Sequence, residues 1–246
     1  MPLRQPNEPR PPNDPLQYDD LAGEWWRPDG LFAMLHWIAV ARARLVPPAP
    51  RTHAVLVDLG CGAGLLAPHV VAKGYRHVGV DLTFSALEQA AAHGVAAVQG
   101  NVTAVPLADG CADVVTAGEI LEHVADVPGT IAEACRLLRP GGVLIIDTIN
   151  ATPLARLVAV RIGERLHGVA ARGIHDPNLF VPPRVVIDEC AKHGIDMKVR
   201  GLRPRVFQMA RWLVTRRGEV TMVPAWSRAV LYQGIGVRAS ADKEHA

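Results

Sequence analysis

The feature that most constrains this chain is an apolar run that ends in an acid and turns at once through alternating glycines. It reads Val55-Leu-Val-Asp58-Leu-Gly60-Cys61-Gly62-Ala63-Gly64. A second apolar run, Val78-Gly-Val-Asp81, ends in another acid seventeen residues after Gly64. The pattern predicts a strand over Ala54–Asp58, a tight turn, a helix from Leu65 to about Lys73 and a strand over His77–Asp81. Glycines suit such a turn because a Cβ there would clash with a closely approaching ligand or forbid positive φ. A carboxylate at the end of the second strand can accept both hydroxyls of a ribose, as in other mononucleotide-binding βαβ units.

The spacing discriminates between ligands. A dinucleotide fold would read G-x-G-x-x-G and seat a pyrophosphate on the helix N-terminus. Here Asp58 stands two residues before the first glycine, where it would repel a pyrophosphate and suit the ammonium of an amino-acid moiety. The string resembles motif I of the class I S-adenosylmethionine-dependent methyltransferases. The resemblance implies that Asp58, Gly60, Cys61, Gly62 and Gly64 line the methionine end of S-adenosylmethionine, that Asp81 with Leu82 takes the ribose, and that Asn101 with Val102 meets the adenine edge. The Asn101 amide can both accept and donate there; by itself it also reads as a turn residue.

The rest of the chain extends the alternation. Further helices are expected over Ser85–Ala92 and Val127–Leu138, the latter stopped by Pro140-Gly141-Gly142. Further strands are expected over Ala96–Gln99, Asp113–Ala117 and Val143–Asp147. This predicts an α/β fold with a doubly wound, largely parallel sheet and an N-terminal helical extension from Tyr18 to Val46. Residues 1–17, with six prolines, and residues 238–246 are expected to be disordered, leaving one domain over 18–237 with an insertion at about 151–180. Pro182–His193 reads as a helix, and the tail has β-rich stretches at Glu219–Val223 and Ala229–Tyr232.

At 246 residues and 49% hydrophobic content, one α/β domain with a terminal extension is the natural size. A net charge of +2 argues against a dedicated nucleic-acid binder. The four cysteines, Cys61, Cys111, Cys135 and Cys190, lack C-x-x-C spacing and read as reduced thiols of a cytosolic protein. The proline- and asparagine-rich start has no apolar core of a signal peptide, and no apolar run is long enough to span a membrane. The sequence leaves the oligomeric state open.

Strand 4 leads into Gly118-Glu119-Ile-Leu-Glu122-His123-Val124. A helical turn would put Glu119 and Glu122 on one face with His123 beside them. Two carboxylates and an imidazole suit a divalent cation such as Mg²⁺ or Zn²⁺. They equally suit a base for an acceptor hydroxyl, or a solvated loop with a capping acid. At this point the chain resembles the ubiquinone-biosynthesis O-methyltransferases, which methylate a polyprenylated catechol. The resemblance rests on Glu24-Trp25-Trp26-x-Pro28-x-Gly30-x-Phe32, Leu35-His36, the glycine turn, Glu119-x-x-Glu122-His123, Arg139-Pro-Gly-Gly142, Thr148-x-Asn150 and His175-Asp176. It implies that Arg42 contacts the cofactor and that a metal, where present, uses Glu119, Glu122 and His123. It also implies that residues 151–172 form an interfacial segment.

This chain departs from the family segment H-R-I-N-P-L-R, reading His36-Trp-Ile-Ala-Val-Ala-Arg42, and matches poorly after about Gly201. In residues 151–172, Leu154, Leu157, Val158, Val160, Ile162 and Leu166 alternate with Arg156, Arg161 and Arg165, as in a helix lying on a lipid surface. An ordinary packed helix fits equally. The expected activity is O-methylation of a small phenolic or catechol acceptor, with Glu119, His123 and His175 as catalytic candidates and with reversible, peripheral contact to the inner face of a membrane. Another small-molecule or carbon-acid acceptor, or a scaffold that binds cofactor without turnover, are the alternatives.

Overall fold

A computed structural model describes residues 11–14, 16–166 and 170–240. The sheet has eight strands in the order β3-β2-β1-β4-β5-β8-β6-β7. The first five, β1 (Val55–Leu59), β2 (Arg76–Asp81), β3 (Ala96–Gln99), β4 (Ala112–Gly118) and β5 (Leu138–Ile149), pair in parallel. The strand order reverses between β1 and β4. In an open parallel sheet that switch point leaves a crevice outside the carboxyl ends of the strands, where ligands bind. Every residue of β4 is buried, as expected for a central strand covered on both faces.

The remaining strands run antiparallel: β8 (Leu231–Val237) on β5, β6 (Lys198–Pro204) on β8, and β7 (Met222–Ala225) on β6. The expected strand at Glu219–Val223 is shifted to β7, and β6 goes unsignalled because Lys198-Val-Arg-Gly-Leu-Arg-Pro204 carries charges among its apolar residues. Between β6 and β7 lies α8 (Val206–Thr215), a helix for which the sequence reading gives no expectation. Its valines and aromatic residues favour strands. Burial of Trp212 on the edge of Trp37, ring centroids 5.0 Å apart, with Met209 and Leu213 packed alongside, overrides that preference.

The N-terminal extension is not one helix. It comprises α1 (Gln17–Asp20), a 3-10 turn (Ala22–Glu24) and α2 (Ala33–Ala43). The chain between them bends at Pro28 and Gly30, where a Glu24 carboxylate oxygen accepts the Leu31 N–H at 3.2 Å. On the sheet's flanks lie α3 (Ala67–Val70), shorter than expected, α4 (Phe84–Ala92), α5 (Val127–Leu137) and α7 (Pro183–Lys192). The Asp126 side chain caps α5 by accepting from Gly129 N–H at 2.8 Å. After β5 comes α6 (Pro153–Ala155), which runs into a π-helical turn over Arg156–Ile162.

Both ends expected to be disordered are partly tied down. Asn13 N–H donates to Gly173 O at 3.2 Å, and Arg238 and Ala239 pair with Gly142 and Gly194. Residues 1–10, 15 and 241–246 of those tails lie outside the described residues, as do 167–169 of the insertion. Among the described residues no helix is long and apolar enough to cross a membrane.

Trp212 is 1% exposed and anchors α8. Trp212→Ala is expected to lower the unfolding free energy by about 3–5 kcal/mol, read by urea denaturation.

Candidate active site

The glycine turn wraps over the end of β2, with the N–H groups of Gly60 and Cys61 both donating to Val80 O, at 2.8 and 3.1 Å. Gly60 has φ of 67° and Gly62 has φ of 49°, a region that side chains resist. Space is closed to a side chain as well. A Cβ on Gly62 would stand 2.7 Å from the Trp25 ring, and one on Gly60 would meet Ile120. Gly64 faces Ala90 and Val95 instead, so it seats the turn on α4 and does not line the crevice.

Asp81 ends β2. Its two carboxylate oxygens each accept one backbone N–H, from Gly62 at 2.9 Å and from Thr83 at 2.8 Å. Each oxygen keeps a second lone pair for a ligand hydroxyl. Burial raises the Asp81 carboxyl above its ordinary value, against the pull of those N–H groups. Asp58 lies deeper. It accepts the Thr116 hydroxyl at 2.5 Å and has His77 Nε2 at 3.7 Å. Burial opposes its ionisation, but His77, Arg42 and the Thr116 hydroxyl together hold its carboxyl below the usual range. Asp58 is therefore a buried anion beneath the turn that still reaches the crevice wall.

Arg42 comes from α2. Its Nε and Nη2 donate to the two oxygens of Asp147 on β5, at 2.8 and 2.6 Å. The guanidinium crosses over Gly118, where any side chain would overlap it. Sequence reasoning did not single out Asp147. Its signal was a lone acid inside Val143-Leu-Ile-Ile-Asp147-Thr-Ile149, a run otherwise built for burial.

The acidic cluster does not form the arrangement expected from an α-helical turn. Glu119 precedes the turn in a left-handed conformation, φ 52°, and Leu121–His123 is 3-10. The side chains diverge. Glu119 reaches the crevice. Glu122 turns inward, fully buried, and accepts the Thr148 hydroxyl at 2.7 Å. His123 faces the N-terminal segment. Glu119 and Glu122 each leave Oε1 buried without a hydrogen-bond partner. Among the described residues no group of three His, Cys, Asp or Glu side chains is gathered to hold a metal ion.

Burial, with the charges of Glu122 and Asp147, pushes the Glu119 carboxyl well above its ordinary value; Arg42 opposes the shift. Burial likewise pushes Glu122 up to about 7, against the Thr148 hydroxyl and His175. Burial and the neighbouring His175 push His123 down to about 3, so its imidazole is neutral.

His175 follows the insertion. Its Nδ1 and backbone N–H both meet Glu164 Oε1, at 3.1 and 3.2 Å, and its ring stacks on His123 with centroids 5.6 Å apart. Asn101 folds its own Oδ1 back onto Thr103 N–H and Oγ1, with its side chain at the crevice edge. One continuous pocket joins these groups. It runs from Leu82, Asn101 and Val102 past Asp81, Cys61 and Gly62 to Arg42, Glu119, His123 and His175. The N-terminal segment covers it with Tyr18, Trp25 and Phe32, residues that sequence reasoning had assigned no site role.

Residues 57–146 match the family described as a methyltransferase domain. A ubiquinone biosynthesis O-methyltransferase of Nitrosococcus oceani is 34% identical over 200 residues, covering 76% of this chain and 83% of its own. One from Cupriavidus pinatubonensis is 36% identical over 209 residues, covering 79% and 84%. Among solved structures, an S-adenosylmethionine-dependent methyltransferase of Thermotoga maritima, described as a possible histamine N-methyltransferase, shares the fold. Its TM-score is 0.63 at 20% identity, over 90% of this chain and 96% of that one.

The buried Glu122 makes stability depend on pH. The folded chain holds this proton up to about 7, whereas the unfolded chain releases it near 4.5. Between those values the native state binds more protons than the unfolded state, so stability falls as pH rises. The native protein is expected to lose about 1–3 kcal/mol across that window relative to Glu122→Gln, measured by parallel denaturant titrations.

Proposed function

Because the chain belongs to the ubiquinone biosynthesis O-methyltransferase family, we propose that this S-adenosylmethionine-dependent methyltransferase methylates a hydroxyl of a catechol-type quinone precursor carrying a polyprenyl tail. The observation that carries the reading is the single pocket with a nucleoside-type end at Asp81 and a histidine-lined end at His123 and His175. When bound, S-adenosylmethionine supplies an electrophilic methyl group on a sulfonium sulfur.

The residues suit that ligand along its length. Asp81 has lone pairs free for ribose hydroxyls, while Leu82, Asn101 and Val102 border the adenine end. The glycine turn leaves room for the methionine portion. Arg42 Nη1 is not among the nitrogens engaged by Asp147, so it remains for a carboxylate. The unpaired Oε1 of Glu119 suits a cationic neighbour. The protein's main contribution is orientation of the acceptor oxygen against the methyl carbon. His123, kept neutral by burial at the pocket wall with His175 stacked against it, can hydrogen-bond the acceptor hydroxyl and help orient it.

A divalent cation held by Glu119 and Glu122 is a second reading of the same cluster, favoured by their two unpaired oxygens. His123 faces the N-terminal segment and is not gathered with the two carboxylates among the described residues, so no step is assigned to a metal.

The polyprenyl tail finds support in the insertion. Leu154, Leu157, Ile162 and Leu166 are exposed there together with Arg156, Arg161 and Arg165. Apolar side chains can dip below anionic headgroups that the arginines contact, each arginine contributing on the order of 1 kcal/mol.

Incubation with S-adenosylmethionine and a short-chain catechol analogue is expected to give a product heavier by one methyl group on oxygen, seen by mass spectrometry. No methylation of any catechol would reject the reading. Replacing Leu157 and Val158 with Asp is expected to abolish co-sedimentation with anionic vesicles at low salt while sparing turnover of the soluble analogue. A native protein that never sediments with such vesicles would make the insertion a pocket cover only.

A further inference from the structure

The helix α8 is apolar on both of its sides. Met209, Trp212 and Leu213 turn inward to the cluster that also holds Trp37 and Met222. Phe207, Ala210, Arg211 and Val214 stand three or four residues apart along the other side, and all four are exposed. Phe207 is 90% exposed, Val214 85% and neighbouring Val206 64%. Single apolar side chains on a surface are ordinary, but three on one short helix form a patch that water covers at a cost. None of these residues lines the pocket.

The patch lies in a strongly basic stretch. From Lys198 to Val230 the chain carries seven arginines and one lysine against a single acid, Glu219, although its net charge over all residues is only +2. Arg205 and Arg217 flank the helix and Arg211 lies within its outward stripe, all three exposed. Among the described residues none of the three has a carboxylate within ion-pair distance; the ion pairs of this chain's other arginines involve Arg27, Arg42, Arg51, Arg136 and Arg139. Arg216, which ends the helix, lies over the Trp212 ring at 4.6 Å.

We propose that the outward side of α8 docks on an anionic lipid bilayer, with Phe207 and Val214 dipping between headgroups that Arg205, Arg211 and Arg217 contact. Bare apolar side chains set among unpaired arginines are the combination that an anionic membrane surface holds, since acyl chains take the first and headgroups the second. A second copy of the chain would bring the same cations against one another, and their repulsion opposes such pairing. A nucleic acid would engage the arginines but leave Val206 and Val214 without a partner. The helix lies beyond Gly201, where the sequence departs from the ubiquinone-biosynthesis relatives, so this surface belongs to this chain in particular. Its inward residues share an apolar cluster with Ala155, Ala159 and Val160 of the insertion, which makes the two elements neighbours. Two weak contacts on neighbouring elements hold far more firmly than either alone, and they fix the orientation of the protein on the bilayer. The proposal rests on α8 alone and holds whether or not the insertion also touches lipid.

The test is co-sedimentation of the full chain with vesicles of equal parts phosphatidylglycerol and phosphatidylcholine, and with vesicles of phosphatidylcholine alone. The native protein is expected to sediment with the first at low salt, to be released as salt screens the arginines, and to stay in solution with the second. Phe207→Ser with Val214→Ser is expected to weaken partitioning roughly tenfold or more, because two apolar side chains leave the interface. Arg205→Gln with Arg211→Gln and Arg217→Gln is expected to remove the preference for the anionic lipid. Unchanged thermal midpoints and S-adenosylmethionine binding confirm that both variants fold. Variants that sediment like the native protein, or native sedimentation indifferent to lipid charge, would overturn the proposal. So would a native chain that leaves vesicles alone and binds a single-stranded oligonucleotide, or that forms a dimer which Phe207→Ser with Val214→Ser splits. Loss of sedimentation only on replacing Leu157 and Val158 with Asp would make the insertion the sole contact and reject a role for α8. Loss only in the α8 variants would support this surface and leave the insertion as a pocket cover.

Discussion

The buried pair between Arg42 and Asp147 is the interaction on which the rest of the pocket depends. It joins the N-terminal cap to the centre of the sheet, with two charge-assisted hydrogen bonds that satisfy both Asp147 oxygens. Removing one partner of such a pair leaves an uncompensated charge in the interior, which typically costs several kcal/mol. The pair also fixes what can surround it. Gly118 must lack a side chain for the guanidinium to pass. Next to it Glu119, whose backbone N–H donates to Asp147 O at 2.8 Å, adopts a left-handed conformation and reaches the pocket.

Arg42 is the cation set among a surplus of acids. Asp58, Asp81, Glu119, Glu122 and Asp147 crowd the ends of β1, β2, β4 and β5, and burial raises the Asp81, Glu119 and Glu122 carboxyls. Such a site gains from a positively charged ligand, because an opposite charge nearby favours the ionised carboxylates. A methyl donor that carries its positive charge on sulfur matches that field, whereas a pyrophosphate would oppose it. The electrostatics therefore agree with the glycine spacing in choosing the ligand class.

Much of this was legible in the sequence because it is local. Asp58, the glycines and Asp81 lie within one βαβ unit, where strand ends and turn geometry follow from residue type. The order of β1 to β5 follows from the same alternation. What escaped depends on distant contacts. Asn13 sits among prolines that signal only disorder, Tyr18 reads only as the start of a helix, and nothing nearby in sequence points either of them to His123. The Glu119-x-x-Glu122-His123 string was read with the period of an α-helix; the 3-10 turn and the positive φ at Glu119 send its side chains apart. In α8, valines and aromatic residues give no clear helix signal, and the helix rests on Trp212 packing edge-on against Trp37.

The central claim is that the cradle of Asp58, the glycine turn and Asp81 is built for S-adenosylmethionine. Calorimetric titration of the native chain and of Asp81→Ala, with S-adenosylmethionine and with NAD, addresses it most directly. The account predicts that the native chain binds S-adenosylmethionine and not NAD. It also predicts that Asp81→Ala weakens binding by about 1.5–3 kcal/mol through loss of charge-assisted ribose hydrogen bonds. Binding of NAD without S-adenosylmethionine, or an Asp81→Ala variant of undiminished affinity, would contradict it.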